Sequence, residues 1–80
     1  MKKRELLDIY ESGYHLARSN PPTLEVKGSR VFFTFADDAN FRKIDSEFHE
    51  NKPIGALDFS AALRRLRAEM LAARDGGGRR

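Results

Sequence analysis

The sequence predicts a small single domain of the α+β class, in the order helix, β-hairpin, helix, helix. Three observations carry this prediction. Apolar residues recur with helical spacing in three segments, a Gly-Ser pair separates two alternating stretches, and proline or glycine lies at the segment ends. The chain of 80 residues suffices for one core. We therefore expect one domain over residues 1–75 and a flexible basic tail over residues 76–80.

The first predicted helix covers residues 4–19. Between residues 6 and 17, apolar side chains fall on one half of a helical wheel and charged ones on the other, and the proline pair that begins at Pro21 ends the helix. Gly13 lies within the apolar half, where a better helix former would gain about 1 kcal/mol, so we expect another backbone to approach closely there. His15 lies on the polar half and is predicted to be a solvated surface residue.

A two-stranded antiparallel hairpin follows, with strands over residues 23–27 and 30–35. The Gly28-Ser29 pair between them is suited to a type II′ turn. The resulting register places five apolar side chains on one face: Leu24, Val26, Val31, Phe33 and Phe35. A lone hairpin is marginally stable in water, so we expect the helices to cover this face.

The second and third helices are predicted over residues 39–50 and 57–74. The shorter helix carries one apolar stripe, formed by Phe41, Ile44 and Phe48. The longer helix has apolar residues at spacings of three and four, and we expect Gly76 to end it as a C-cap. The first and third helices are expected to pack on the hairpin, while the second closes one end.

Charge is distributed unevenly along the chain, whose net charge is +3. Residues 37–60 carry six acidic and three basic side chains, whereas residues 61–80 carry six basic and two acidic ones. Five candidate phosphate-binding residues lie in the basic region: Arg64, Arg67, Arg74, Arg79 and Arg80. The first three share one arc of the predicted helix. The alternative interpretation is that they are solvated flanks that complement the helix dipole.

Phe32 is a further candidate, because it shares the other hairpin face with Lys27 and Arg30. Bases of single-stranded nucleic acid stack on such rings while cations meet the phosphates. Two alternatives are open: Phe32 packs against its equivalent in a homodimer, or a helix of the same chain covers it.

No catalytic, cofactor or metal site is predicted. The absence of cysteine excludes disulfides, thiolate zinc sites and cysteine nucleophiles. Asp45 and His49 lie one helical turn apart and could share a cation, but two ligands are half a site, so we interpret them as an exposed pair. Asp37 and Asp38 are interpreted as helix N-caps.

We expect a cytoplasmic protein without membrane contact. No stretch approaches the roughly 18 consecutive apolar residues that a membrane span requires. The first residues are charged and lack the apolar region of a signal peptide.

Three segments carry a family resemblance: residues 30–38, then Phe41 with Glu47 and Phe48, then residues 57–67. They resemble a family of short bacterial and phage-associated proteins catalogued as a domain of unknown function. The resemblance spans about residues 5–72 and implies a helix, a hairpin with an aromatic-rich strand, an acidic cap and a final helix with an alanine-leucine-arginine run. It also implies a phage or mobile-element context, and it brings no activity.

Together, these features predict a non-catalytic binding or accessory module that contacts nucleic acid or a nucleoprotein through its basic C-terminal helix. The alternative is a protein interaction module that uses the hairpin edge and Phe32. Such a module would be a phage-type inhibitor or regulator, or an obligate homodimer.

Overall fold

A computed structural model describes residues 2–78, with side chains through residue 75. Six elements follow one another along the chain: β1 (Lys3–Leu6), α1 (Ile9–Ala17), β2 (Thr23–Lys27), β3 (Arg30–Ala36), α2 (Ala39–His49) and α3 (Ala56–Gly78). The strands form an antiparallel sheet in the order β1-β3-β2, and the helices pack against one of its faces. The predicted α+β class is confirmed.

The hairpin of β2 and β3 has the predicted register. Val26 pairs with Val31, and Leu24 pairs with Phe33. Gly28 has a φ of 63°, the left-handed value that the first loop position of a type II′ turn requires. Strand alternation around a two-residue loop was therefore sufficient to predict this part of the sheet.

The prediction of one helix over residues 4–19 is wrong at its N-terminal end. Residues Lys3–Leu6 form a third strand, antiparallel to β3, where a two-stranded sheet was expected. This strand satisfies backbone groups on the second edge of β3, which would otherwise lack partners. The helix begins only at Ile9, because the carboxylate of Asp8 accepts two backbone N–H groups of the first turn.

The core lies between the sheet and the helices. Phe33 and Phe35 from β3, Phe41 from α2 and Leu66 from α3 are each at most 3% exposed. Partly buried apolar side chains surround them: Leu6, Ile9, Leu16, Leu24 and Met70. This cluster joins the sheet to α2 and α3. Burial of each large apolar side chain contributes about 1.5–3 kcal/mol to the stability of the fold.

The close approach predicted at Gly13 is present between α1 and α3. A Cβ atom on this residue would lie 2.7 Å from Cδ2 of Leu63 and 3.5 Å from the Phe59 ring. The neighbour is a side chain, where a backbone was expected. Gly13 thus leaves room for the side chains of α3.

The last helix is longer than predicted. It runs from Ala56 to Gly78, so the expected C-cap at Gly76 is not its end. Glycine weakens a helix by about 1 kcal/mol per residue without preventing it. The tail predicted over residues 76–80 therefore overlaps α3, and Arg79 and Arg80 lie outside the described residues. Within residues 2–78, no helix combines the length and apolarity needed to cross a bilayer.

Replacing Gly13 by valine should lower the free energy of unfolding by about 1–3 kcal/mol, because the branched side chain overlaps Leu63. Urea denaturation of both proteins measures the difference. Gly13→Ala should lose less, because the gain in helix propensity offsets a shift of the flexible Leu63 side chain. Equal stability of the valine variant and the native chain would contradict close packing at this position.

Candidate functional site

The three arginines predicted on one arc of α3 lie on the protein surface. Arg64, Arg67 and Arg74 are exposed, and none forms an ion pair with a carboxylate of the described residues. We call these three residues the arginine arc. On the opposite flank of the helix, Arg65 pairs with Glu69 at 2.9 Å. The arginine arc therefore retains charge that a partner can neutralise.

An apolar groove of about 340 Å³ runs beside the arginine arc. Its lining residues come from α3, from the first residue of α1 and from the link that precedes α1: Leu7, Ile9, Arg67, Met70 and Leu71. The side chains of Leu7 and Leu71 are 50% and 58% exposed. Because Arg67 borders both, the groove and the arginine arc form one continuous surface.

Lys27, Arg30 and Phe32 lie on the sheet face that points away from the helices. Strand alternation places them opposite Phe33 and Phe35, which face the core. The structure therefore separates these three candidates from the arginine arc. They cannot belong to one flat interface with it.

The ion pairs of this sheet face neutralise much of its positive charge. Lys27 Nζ lies 2.7 Å from Glu5 Oε2 and 5.1 Å from the centre of the Phe32 ring, so it partly covers that ring. Lys3 pairs with Glu25 at 3.4 Å, and both pairs connect β1 to β2 across the central strand. Because β3 is the central strand, the free edge of the hairpin is provided by β2.

The interpretation of His15 as a solvated residue is wrong, because its side chain is fully buried. The ring stacks on Phe41 with centroids 4.5 Å apart. Its Nε2–H donates to Asp45 Oδ1 at 3.0 Å, and Asn20 Nδ2 donates to its Nδ1 at 3.0 Å. Burial lowers the pKa of His15 against the opposing effect of Asp45. Burial thus favours the neutral ring, and an ionised Asp45 places the proton of that ring on Nε2.

Asp45 connects this buried histidine to a polar cluster between α1 and α2. We define the polar cluster as Glu11, Asp45 and His49. His49 Nε2 lies 3.4 Å from Glu11 Oε2 and 3.3 Å from Asp45 Oδ2. Both carboxylate side chains are 14% exposed, whereas that of His49 is 63% exposed. The predicted pair of Asp45 and His49 is present, but only the histidine is exposed.

The two carboxyl groups of the polar cluster influence each other's protonation. Burial raises the pKa of Glu11 to about 7, and the hydrogen bond and negative charge of Asp45 add to this effect. Burial also opposes ionisation of Asp45, but hydrogen bonds from Glu11 and His15 outweigh it and lower the pKa of Asp45. Near neutral pH, Asp45 is therefore ionised, whereas Glu11 is still partly protonated.

Sequence reasoning missed Glu11 and His15 because both lie on the polar half of α1. Their spacing of four residues was the available signal, and it matches the spacing of Asp45 and His49 on α2. The two acidic residues before α2 behave differently from each other. Asp38 caps the helix by accepting the backbone N–H of Phe41, whereas Asp37 forms ion pairs.

Replacing His15 by alanine should lower the free energy of unfolding by about 2–5 kcal/mol. The change opens space beside Phe41 and leaves Asp45 without its buried donor. The matched control is His49→Ala, which removes the exposed neighbour of the same carboxylate and should cost less than about 1 kcal/mol. Equal losses in urea denaturation would contradict the buried role of His15.

Replacing Glu11 by glutamine should change how stability depends on pH. In the folded chain the pKa of Glu11 is about 7, against an ordinary value of 4.5. The protonated carboxyl therefore stabilises the native chain fully below pH 4.5, and this stabilisation is lost as the pH rises through 7. Relative to the variant, the native chain should lose up to about 3 kcal/mol across this range. Parallel stability curves, measured with a chelator present, would contradict the shift.

Comparison of the chain with protein-family models, curated proteins and solved structures found no match. The family resemblance of the three segments described above therefore stays a prediction. Functional inference rests on the surface of α3 and on the polar cluster.

Proposed function

We propose that this chain is a non-catalytic binding module that contacts nucleic-acid phosphates through the arginine arc. The observation that carries the proposal is that three exposed guanidinium groups of α3 form no ion pair with a carboxylate of the described residues; Arg64 donates only to Ser60 Oγ. Guanidinium groups are planar, permanently charged and suited to phosphate oxygens. Neutralising phosphates also releases counterions, which supplies binding free energy without base recognition.

The length of the arginine arc fits several phosphates. Arg64 and Arg74 are ten residues apart, which corresponds to about 15 Å along a helix. One strand of duplex DNA carries about four phosphates over that distance. Two acidic residues of α3, Asp58 and Glu69, lie on its other flank, whereas Asp75 follows Arg74 at the C-terminal end of the arginine arc.

The proposed interface is narrower than the one expected from the sequence. Lys27, Arg30 and Phe32 are left out, because they lie on the opposite face of the sheet and Lys27 is already paired with Glu5. This removes base stacking on Phe32 from the proposal. The remaining contacts are electrostatic and favour little sequence specificity.

An acidic, amphipathic protein segment is the second candidate partner. The apolar groove favours this partner, because exposed Leu7 and Leu71 adjoin the arginine arc. Phosphate groups do not bind to such an apolar surface, whereas leucines of a partner do. A helix with leucines facing the groove and carboxylates facing the arginine arc would satisfy both features. Leu71→Ser distinguishes the candidates, since it should weaken only the protein segment.

The test is fluorescence anisotropy with labelled single-stranded and duplex oligonucleotides over a series of salt concentrations. Replacing Arg64, Arg67 and Arg74 by glutamine should weaken binding and reduce the slope of log affinity against log salt by about 3, one for each lost phosphate contact. The matched control replaces Arg30, Lys43 and Arg65 by glutamine, which changes the net charge equally.

The control protein should retain most of the native slope, and Leu71→Ser should bind the oligonucleotides as the native chain does. Absence of binding at low salt would contradict the nucleic-acid proposal and leave the protein segment. Equal losses in the two triple variants would show that net charge alone attracts the oligonucleotide, and would also contradict it.

A further inference from the structure

We propose that the polar cluster of Glu11, Asp45 and His49 is a binding site for a divalent transition-metal ion, with Zn²⁺ as the best fit. This inference goes beyond the proposed nucleic-acid contact and uses a different part of the molecule. The three residues come from α1 and α2, so a bound ion would join these helices. No metal site was expected from Asp45 and His49 alone, because the sequence did not reveal Glu11 as the third ligand.

The spacing of the side-chain atoms suits tetrahedral coordination. One ligand atom of each residue lies within 4.8 Å of the other two. His49 Nε2 is 3.4 Å from Glu11 Oε2 and 3.3 Å from Asp45 Oδ2. Two ligands of a tetrahedral zinc ion, each about 2.0–2.1 Å from the metal, lie about 3.3–3.4 Å apart. Small side-chain adjustments would therefore complete the coordination.

A buried histidine fixes the orientation of the central ligand. Oδ1 of Asp45 accepts the Nε2–H of His15, whose other nitrogen accepts from Asn20. The second oxygen, Oδ2, remains directed at His49 and is available to an ion. Hydrogen bonds that orient a ligating carboxylate are a usual feature of metal sites and influence metal affinity.

The charge around the polar cluster also favours a cation. Neither Glu11 nor Asp45 has a lysine or arginine partner among the described residues, although both carboxylates are largely buried. A bound cation would displace the proton that Glu11 otherwise keeps, because two ionised carboxylates this close together and shielded from water need a positive counter-charge. A divalent ion supplies it, and the exposed ring of His49 places the fourth coordination position towards solvent.

The ligand types distinguish among metals. An imidazole with two carboxylates suits Zn²⁺ and similar transition metals. Ca²⁺ requires six to eight oxygen ligands, and Mg²⁺ prefers an octahedral oxygen shell with several waters. We therefore expect selection of Zn²⁺ over both alkaline-earth ions.

Isothermal titration of the chelator-treated full chain with Zn²⁺ tests the site. We expect one ion per chain, and binding at least tenfold weaker in Glu11→Gln and in His49→Gln. Glu50→Gln, a carboxylate next to His49 but outside the polar cluster, is the matched control and should bind like the native chain. Co²⁺ should give the visible absorption of a four-coordinate site in the native chain and in Glu50→Gln, but not in Glu11→Gln or His49→Gln.

Circular dichroism shows whether each variant retains the fold, and the exposed position of His49 makes His49→Gln the decisive one. Absence of one-to-one binding to the native chain would overturn the proposal. Unchanged affinity in folded His49→Gln would also overturn it, since the ion would then be held elsewhere. Equal affinity for Mg²⁺ would contradict the choice of a transition metal.

Discussion

The hydrogen bond between His15 and Asp45 joins α1 to α2 within the core, and the remaining packing is arranged around it. The histidine ring lies against Phe41 of α2 and Phe35 of β3, so this side chain of α1 contacts both α2 and the sheet. Asn20 fixes the opposite side of the ring. Most buried polar groups in proteins have hydrogen-bond partners, and here both ring nitrogens have them.

Part of this arrangement could be predicted from local sequence. The hairpin and α2 follow from short-range rules, because alternation around Gly28 fixes the register and Asp38 marks the helix start. The strand β1 could not be predicted in this way. Its sequence is short and charged, and it becomes a strand because β3 offers an unpaired edge from a distant part of the chain.

The candidate sites show the same division between local and distant contacts. The common exposure of the arginine arc on α3 follows from local sequence, because a single helix fixes the angles between its side chains, and its binding role stays a prediction. Phe32 was grouped with it by charge and aromatic character, yet the sheet separates the two faces. The burial of His15 was not predicted, because a helical wheel treats polar residues as exposed. Its hydrogen-bond partner, Asp45, lies 30 residues away in the sequence.

The most direct test is a two-dimensional ¹H–¹⁵N NMR titration of the two histidine rings between about pH 5 and 8, the range in which a histidine ordinarily changes charge. The burial of the ring and its two hydrogen bonds predict that the pKa of His15 lies below its ordinary value and that the neutral ring carries its proton on Nε2. A pKa of His15 above its ordinary value, or a neutral ring that carries its proton on Nδ1, would contradict the arrangement on which the core depends.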